Sequence, residues 1–309
     1  MKHTPTNDAT RRHVVSPEGD LRYVLIALAL IAGFLCVEIA TAIVGSSLVL
    51  FADAGHMVTD VSALAMSAWA LRLVRQPAAG KWTYGFHRAE VLSAAVNGVT
   101  LVAVGLLIAV QAIERLISPR PVEGSLVLGV AIVGALVNLA SVYALARANH
   151  RSLNIRGAYA HVVTDLYAFI GTAIAGLVIV LTHWQRADAI ASLLVVGLMA
   201  RTAWGLLRDS GKVLLEATPD DLDLSDVREH LATVNHVLDV HDLHAWSVAS
   251  DFTTLSAHVV VEQHCFDDGH VPRILDELQT CLNEHFAVEH ATFQLEPATH
   301  ESHEGGLHP

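Results

Sequence analysis

The chain has 309 residues, 53% of them hydrophobic, and a mean hydropathy of +0.46, which excludes a soluble globular domain and marks an integral membrane protein. Its formal net charge of −12 is divided unevenly: from Asp209 onward there are 20 acidic and 3 basic residues, against 11 and 16 before it. That acidic tail attracts cations and argues against nucleic acid as a partner, and the scattered Cys36, Cys265 and Cys281 form neither a disulfide framework nor a CxxC site.

Residues 1–20 form a polar arm with no apolar core and no cleavage site, so they read as a cytoplasmic arm and not as a signal peptide. Six segments of spanning length follow: Leu21 to Val44, Leu48 to Val74, Ala89 to Ile117, Val122 to Ala146, Ile155 to Thr182 and Ala187 to Leu207. Each is close to or above the ~20 residues a bilayer requires. Lys and Arg cluster in the arm, after the second segment (Arg72, Arg75, Lys81, Arg88), after the fourth (Arg147, Arg151, Arg156) and at the exit (Arg208, Lys212). The positive-inside rule then places both termini in the cytoplasm, with the second segment running inward and the fifth outward.

Two of these segments contain ionisable residues that lipid disfavours by about 2.5–3.5 kcal/mol each on insertion scales. In the second, His56 and Asp60 are four residues apart and share one helical face, with Asp53 three residues before His56 on the same stripe. In the fifth, His161 and Asp165 repeat the spacing: Ala-His161-Val-Val-Thr-Asp165 echoes Gly-His56-Met-Val-Thr-Asp60. Two imidazoles and two carboxylates suit tetrahedral Zn²⁺, and their formal charges cancel, as a low-dielectric site requires. Without the ion the carboxylates repel and protons return, so metal and proton compete for the same atoms. Alternating access of such a site exchanges Zn²⁺ for H⁺. The bland alternative is buried polar glue between helices. Asp53 extends the site outward, orients His56, or caps the helix. Glu38, Asn97 and Asn138 read as packing or hydrogen-bonding residues.

After Leu207 the apolar runs stop. Leu222 to Val234 reads as a helix capped by Asp223 or Ser225, Val237 to Val248 and Thr253 to Glu262 as strands, Val271 to Phe286 as an amphipathic helix, and Ala291 to Leu295 as a last strand. The division is an arm (1–20), a six-helix membrane domain (21–208), a small αββαβ domain (209–297) and a disordered tail (298–309). Leu255, Ala257 and Val259 face the small domain's core, leaving His258 and Ser256 on the polar side.

Ala52-Asp53-Ala-Gly-His56-Met-Val-Thr-Asp60, Trp82-Thr-Tyr-Gly-Phe-His87-Arg-Ala-Glu90, Asn154-Ile-Arg-Gly-Ala-Tyr-Ala-His161-Val-Val-Thr-Asp165, Leu214-Leu-Glu216-Ala-Thr-Pro219 and His241-Asp-Leu-His244-Ala-Trp246 together resemble the zinc-transporting branch of the cation diffusion facilitator family. The resemblance runs from about Leu21 to Pro297. It implies a homodimeric metal/proton antiporter of the cell inner membrane, with six membrane helices per subunit and a metallochaperone-like cytoplasmic domain. By the resemblance His56, Asp60, His161 and Asp165 form the transport site, and His241, His258 and Glu296 match ligands of the family's cytoplasmic site. His270, Glu289 and His290 are weaker additions, and a bound ion there would regulate by offsetting the acidic tail and favouring dimer closure. It also implies that a basic/acidic pair, here Arg88 and Glu216, hinges the two parts. Where some bacterial relatives carry an extra metal site between the second and third helices, this chain has Trp82 and Phe86, and no such site is expected. The loop Arg147 to Arg156 is short, with His150 alone of the histidines that animal relatives concentrate there.

A Zn²⁺ exporter driven by protons is the reading that follows, with Cd²⁺, Co²⁺ or Ni²⁺ as alternative cargo suited to the same imidazoles. A membrane metalloenzyme lacks support, since no HExxH is present and four ligands leave no open position for a reacting water. A metal sensor built on the acidic tail leaves both intramembrane pairs unexplained.

Overall fold

The computed structural model describes residues 17–45, 48–119, 124–148, 152–250 and 252–300, with the side chains of 17–20, 41–45, 48–56, 59, 126 and 188 outside that description. Most of the expected arm, residues 301–309 of the expected disordered tail, and the middle of the 147–156 loop with His150 therefore lie outside the described residues. So do the side chains of Asp53 and His56.

Six long helices come first: α1 (Pro17–Gly45), α2 (Leu48–Val74), α3 (Arg88–Ile117), α4 (Gly124–Leu145), α5 (Leu153–Thr182) and α6 (Arg186–Leu214). Among the described residues, five stretches are long and apolar enough to cross a membrane, in α1, α3, α4, α5 and α6. α2 holds the ionisable stripe and packs against α1, α3 and α5. Leu106, Leu107, Leu136, Leu181 and Leu194 are all exposed, as expected of side chains that face lipid instead of water. Val24, Ile31, Leu64, Leu145, Ile155 and Val162 fill the centre between α1, α2, α4 and α5, and Leu101, Met199, Ala203 and Leu206 join α3 to α6.

Close approach between helices depends on small residues. A Cβ at Gly134 on α4 would lie 2.3 Å from the Phe169 ring of α5, and Phe169 in turn meets Phe34 of α1 edge-on at 6.3 Å. Without a hydrophobic drive inside lipid, such backbone proximity is a main source of helix association.

α6 continues seven residues beyond the apolar segment that ended at Leu207. The extension is polar, but it has partners: Arg156 Nη2 meets Asp209 Oδ2 at 3.0 Å and Lys212 Nζ meets Asp220 at 2.7 Å. Apolar length measures the bilayer crossing, whereas hydrogen bonding and side-chain pairing decide where the helix stops.

The second unit contains α7 (Leu224–Ala232), β1 (Val237–Ala249), β2 (Phe252–Val261), α8 (His264–Asp267), α9 (Val271–His285) and β3 (His290–Pro297). Asp223 caps α7, accepting from Ser225 N at 2.8 Å, which selects between the two expected caps. The sheet order is β1-β2-β3, with β1 antiparallel and β3 parallel to β2. Because β2 and β3 are parallel, a crossover must join them, and α9 supplies it. α9 buries Ile274, Leu278 and Leu282 against Leu255, Ala257 and Val259; each large side chain so buried contributes roughly 1.5–3 kcal/mol. The one-turn α8 is an addition to the expected αββαβ order, too short to leave a periodic signal. The fold is thus a helical membrane domain followed by a small α+β domain.

Candidate metal centre

α2 and α5 bring Asp60, His161 and Asp165 together. His161 Nε2 lies 3.0 Å from Asp60 Oδ1 and 3.6 Å from Asp165 Oδ2, and its side chain is 4% exposed. Four donors about 2.0–2.1 Å from a tetrahedral Zn²⁺ stand about 3.3–3.4 Å apart, so these separations already have the scale of a coordination shell. Asp165 is one turn beyond His161 on the same helix, and Asp60 comes from the facing one. One face of two helices thus supplies both a borderline nitrogen and hard oxygens. His56 belongs to the turn of α2 before Asp60.

The register that sets Asp60 opposite His161 is fixed two turns away. Asn154, seven residues before His161, donates from Nδ2 to the Ser67 carbonyl at 2.9 Å, and Ser67 is seven residues after Asp60. Asn154 Oδ1 accepts from Ser93 Oγ of α3 at 2.9 Å. In two antiparallel helices, equal offsets in opposite directions cover the same distance, ~10.5 Å at 1.5 Å per residue. This Asn154 bridge therefore matches the axial level of Asp60 to that of His161. The motif that contains Asn154 carries no stated role for it; its one signal in the chain is an amide seven residues, two helical turns, before His161.

At the same end of the bundle lies a junction with the second unit. Glu90 of α3, 5% exposed, accepts through Oε1 from the Leu153 backbone N–H at 2.7 Å and from Ser250 Oγ at 2.6 Å. Leu153 N also reaches Ser250 Oγ at 2.9 Å. His87 stacks on Phe252 at 5.5 Å and Tyr84 meets Phe252 edge-on at 6.1 Å. Arg88 Nη2 and Glu216 Oε1 are 2.7 Å apart, so the basic/acidic pair expected at the hinge does meet. In the loop between α2 and α3, the Trp82 and Phe86 rings face each other at 5.0 Å.

The second expected cluster lies on the sheet. His241 and His258 are direct cross-strand partners, with ring centroids 5.4 Å apart. Glu296 reaches His241 Nε2 at 3.1 Å and His258 Nδ1 at 3.7 Å and is 2% exposed. Asp242, in the left-handed region at φ 48, adds Oδ2 at 3.7 Å from His258 Nε2. Of the weaker candidates, Glu289 accepts from Thr253 N at 2.8 Å and the His290 ring meets Tyr84; His244 Nε2, of the quoted motif, pairs with Asp242 Oδ1 at 2.8 Å.

Comparison with known proteins matches both units. The cation efflux transmembrane domain model covers residues 24–215, and the cation efflux protein cytoplasmic domain model covers residues 219–298. The chain belongs to the cation efflux family. Its members are secondary transporters and not enzymes. The chain is 38% identical over 282 residues to zinc transporter ZitB of Escherichia coli, covering 90% of this chain and 88% of that protein. It is 37% identical over 293 residues to the cation efflux system protein CzcD of an Alcaligenes strain, covering 94% and 92%. It is also 33% identical over 281 residues to the cadmium, cobalt and zinc/H(+)-K(+) antiporter of Bacillus subtilis, covering 90% of each. This family member is a multi-pass membrane cation transporter, with histidine–carboxylate clusters in both units.

Proposed function

We propose that this efflux protein is a Zn²⁺/H⁺ antiporter of the cytoplasmic membrane. In this reading it works as a homodimer with both termini in the cytoplasm, and carries the ion through His56, Asp60, His161 and Asp165. The observation that carries the reading is the convergence of Asp60 and Asp165 on a single imidazole nitrogen, His161 Nε2, from two helices. A proton on that nitrogen hydrogen-bonds to the carboxylates; a divalent cation takes the same lone pair. The two occupants exclude each other. An occupied site of two neutral imidazoles, two carboxylates and Zn²⁺ is formally neutral, so the ion is stable inside lipid only after the protons have left.

The names of the relatives support the class of cargo, since zinc, cadmium and cobalt all accept imidazole nitrogen. His241, His258 and Glu296 support a regulatory ion in the cytoplasmic unit, where one added cation lowers the net charge of the acidic tail. Zinc uptake into inside-out proteoliposomes with an imposed pH gradient tests the reading. The wild-type protein should accumulate zinc only with the gradient, and Asp165→Ala and His161→Ala should abolish uptake. Uptake indifferent to the gradient, or undiminished in both variants, would overturn it.

A further inference from the structure

A third cluster of metal-ligating side chains lies outside both sites, at the open end of the β1–β2 ladder, where Val237 pairs with Val261. His236 precedes β1, Glu262 follows β2, and His264 starts α8. Glu262 Oε2 is 3.0 Å from His236 Nδ1 and 3.2 Å from His264 Nδ1, so two imidazoles aim the same ring position at one carboxylate oxygen. The His236 and His264 rings are 5.2 Å apart, and His270 stacks parallel to His236 at 6.1 Å and walls one side. All three donors keep about 40–49% of their side-chain surface exposed, which leaves the cluster open to ions from solution.

We infer that His236, Glu262 and His264 form a further binding site for a borderline divalent cation such as Zn²⁺, separate from the transport site and from the His241–His258–Glu296 cluster. The separation is geometric. His258 and Glu262 are four residues apart along one chain, about 13 Å at strand spacing, too far for one ion to be shared. The donor distances of 3.0 and 3.2 Å are close to the ~3.3 Å edge of a tetrahedral zinc shell, so binding requires little movement. Two neutral imidazoles and one carboxylate select a borderline ion over Mg²⁺ or Ca²⁺, which prefer oxygen donors. The buried Cys265 thiol lies within 4.8 Å of the other three donors, so it can complete a tetrahedral shell as the fourth ligand.

His236 has φ +67, a left-handed conformation that glycine adopts without the Cβ penalty of roughly 1–2 kcal/mol, and its carbonyl accepts from Glu262 N at 3.1 Å, which closes the ladder.

The same position supplies a clean variant. His236→Gly removes a donor where glycine is the favoured backbone, so the fold is retained, and Glu262→Gln removes the charge at constant shape. Metal-stripped full-length protein in detergent micelles is dialysed against Zn²⁺ alone, bound zinc is counted by elemental analysis, and circular dichroism and thermal unfolding monitor the fold. Wild type should hold one more zinc per chain than either variant, or bind that last ion at least tenfold more tightly, with unchanged unfolding. Equal zinc counts and affinities in wild type and His236→Gly would overturn the inference, as would retention by Glu262→Gln.

Discussion

Replacing Glu90 by alanine should loosen the N-terminus of α5 and detach it from the cytoplasmic unit. Glu90 Oε1 accepts two hydrogen bonds, from Leu153 N–H at 2.7 Å and Ser250 Oγ at 2.6 Å. Hydrogen bonds to a charged acceptor contribute about 1.5–3 kcal/mol each. Leu153 N–H retains Ser250 Oγ as an acceptor at 2.9 Å, so part of the loss is recovered and the net cost is roughly 2–4 kcal/mol. At about 1.4 kcal/mol per tenfold, that predicts roughly thirty-fold to several-hundred-fold faster local opening. Hydrogen-exchange mass spectrometry on the full-length protein in micelles reads it at residues 153–157 and 248–252. Glu90→Gln retains an acceptor oxygen and should fall between wild type and Glu90→Ala. In a double-mutant cycle, Ser250→Ala should add little once Glu90 is gone, because the two residues share one network. Exchange at 153–157 within threefold of wild type in Glu90→Ala would refute the reasoning, as would additive effects of the two substitutions.

Asn154→Ala should lower zinc transport in proteoliposomes at least tenfold while leaving every proposed ligand in place, because it frees α2 and α5 to slide; wild-type rates would show that the Ser67–Asn154 bridge does not set the register. The Arg88–Glu216 pair is exposed on both sides, so breaking it should shift thermal unfolding by no more than about 1 kcal/mol. If it hinges the two units, transport lost in Arg88→Glu and in Glu216→Arg should return in the double swap, and a still inactive double swap would dismiss the pairing. The Asp223 carboxyl is held below its usual range by hydrogen bonds from the Ser225 side chain and backbone. A lowered folded-state value contributes stability that is present above the ordinary carboxylate pKa of about 4 and is lost as pH falls through the lowered value. Asp223→Ala should therefore increase hydrogen exchange in α7 at neutral pH, with the difference from wild type closing in strong acid; a difference independent of pH would rule out the cap.

Much of the fold was legible in the chain because membrane and sheet impose simple periods. A bilayer allows backbone polar groups no partner but their own helix, so the apolar runs predicted the long helices. Alternation in Leu255, Ala257 and Val259 predicted the buried face of β2. The paired His-x-x-x-Asp spacing predicted a shared face on each of two helices, and that alone identified His161, Asp165 and Asp60 as partners. The Arg88–Glu216 pair and the His241–His258–Glu296 cluster also came from the sequence, though through family resemblance and not through any period.

Other features depended on contacts between segments far apart in the chain. Asn154 is one polar residue in an apolar helix, and only antiparallel packing against Ser67 makes it a register pin. Glu90 reads as an ordinary acidic residue in a first helical turn, until folding brings Leu153 and Ser250 from two distant segments to one oxygen of its carboxylate. The apolar segment Ala187 to Leu207 measures the crossing and not the end of α6, which runs on to Leu214 where Asp209 and Lys212 find charged partners. His236, Glu262 and His264 have no shared spacing, since a ladder end, a strand exit and a one-turn helix supply one residue each. Periodicity reports what one element does with its own faces; ligand sets assembled from several elements exist only once the chain has closed on itself.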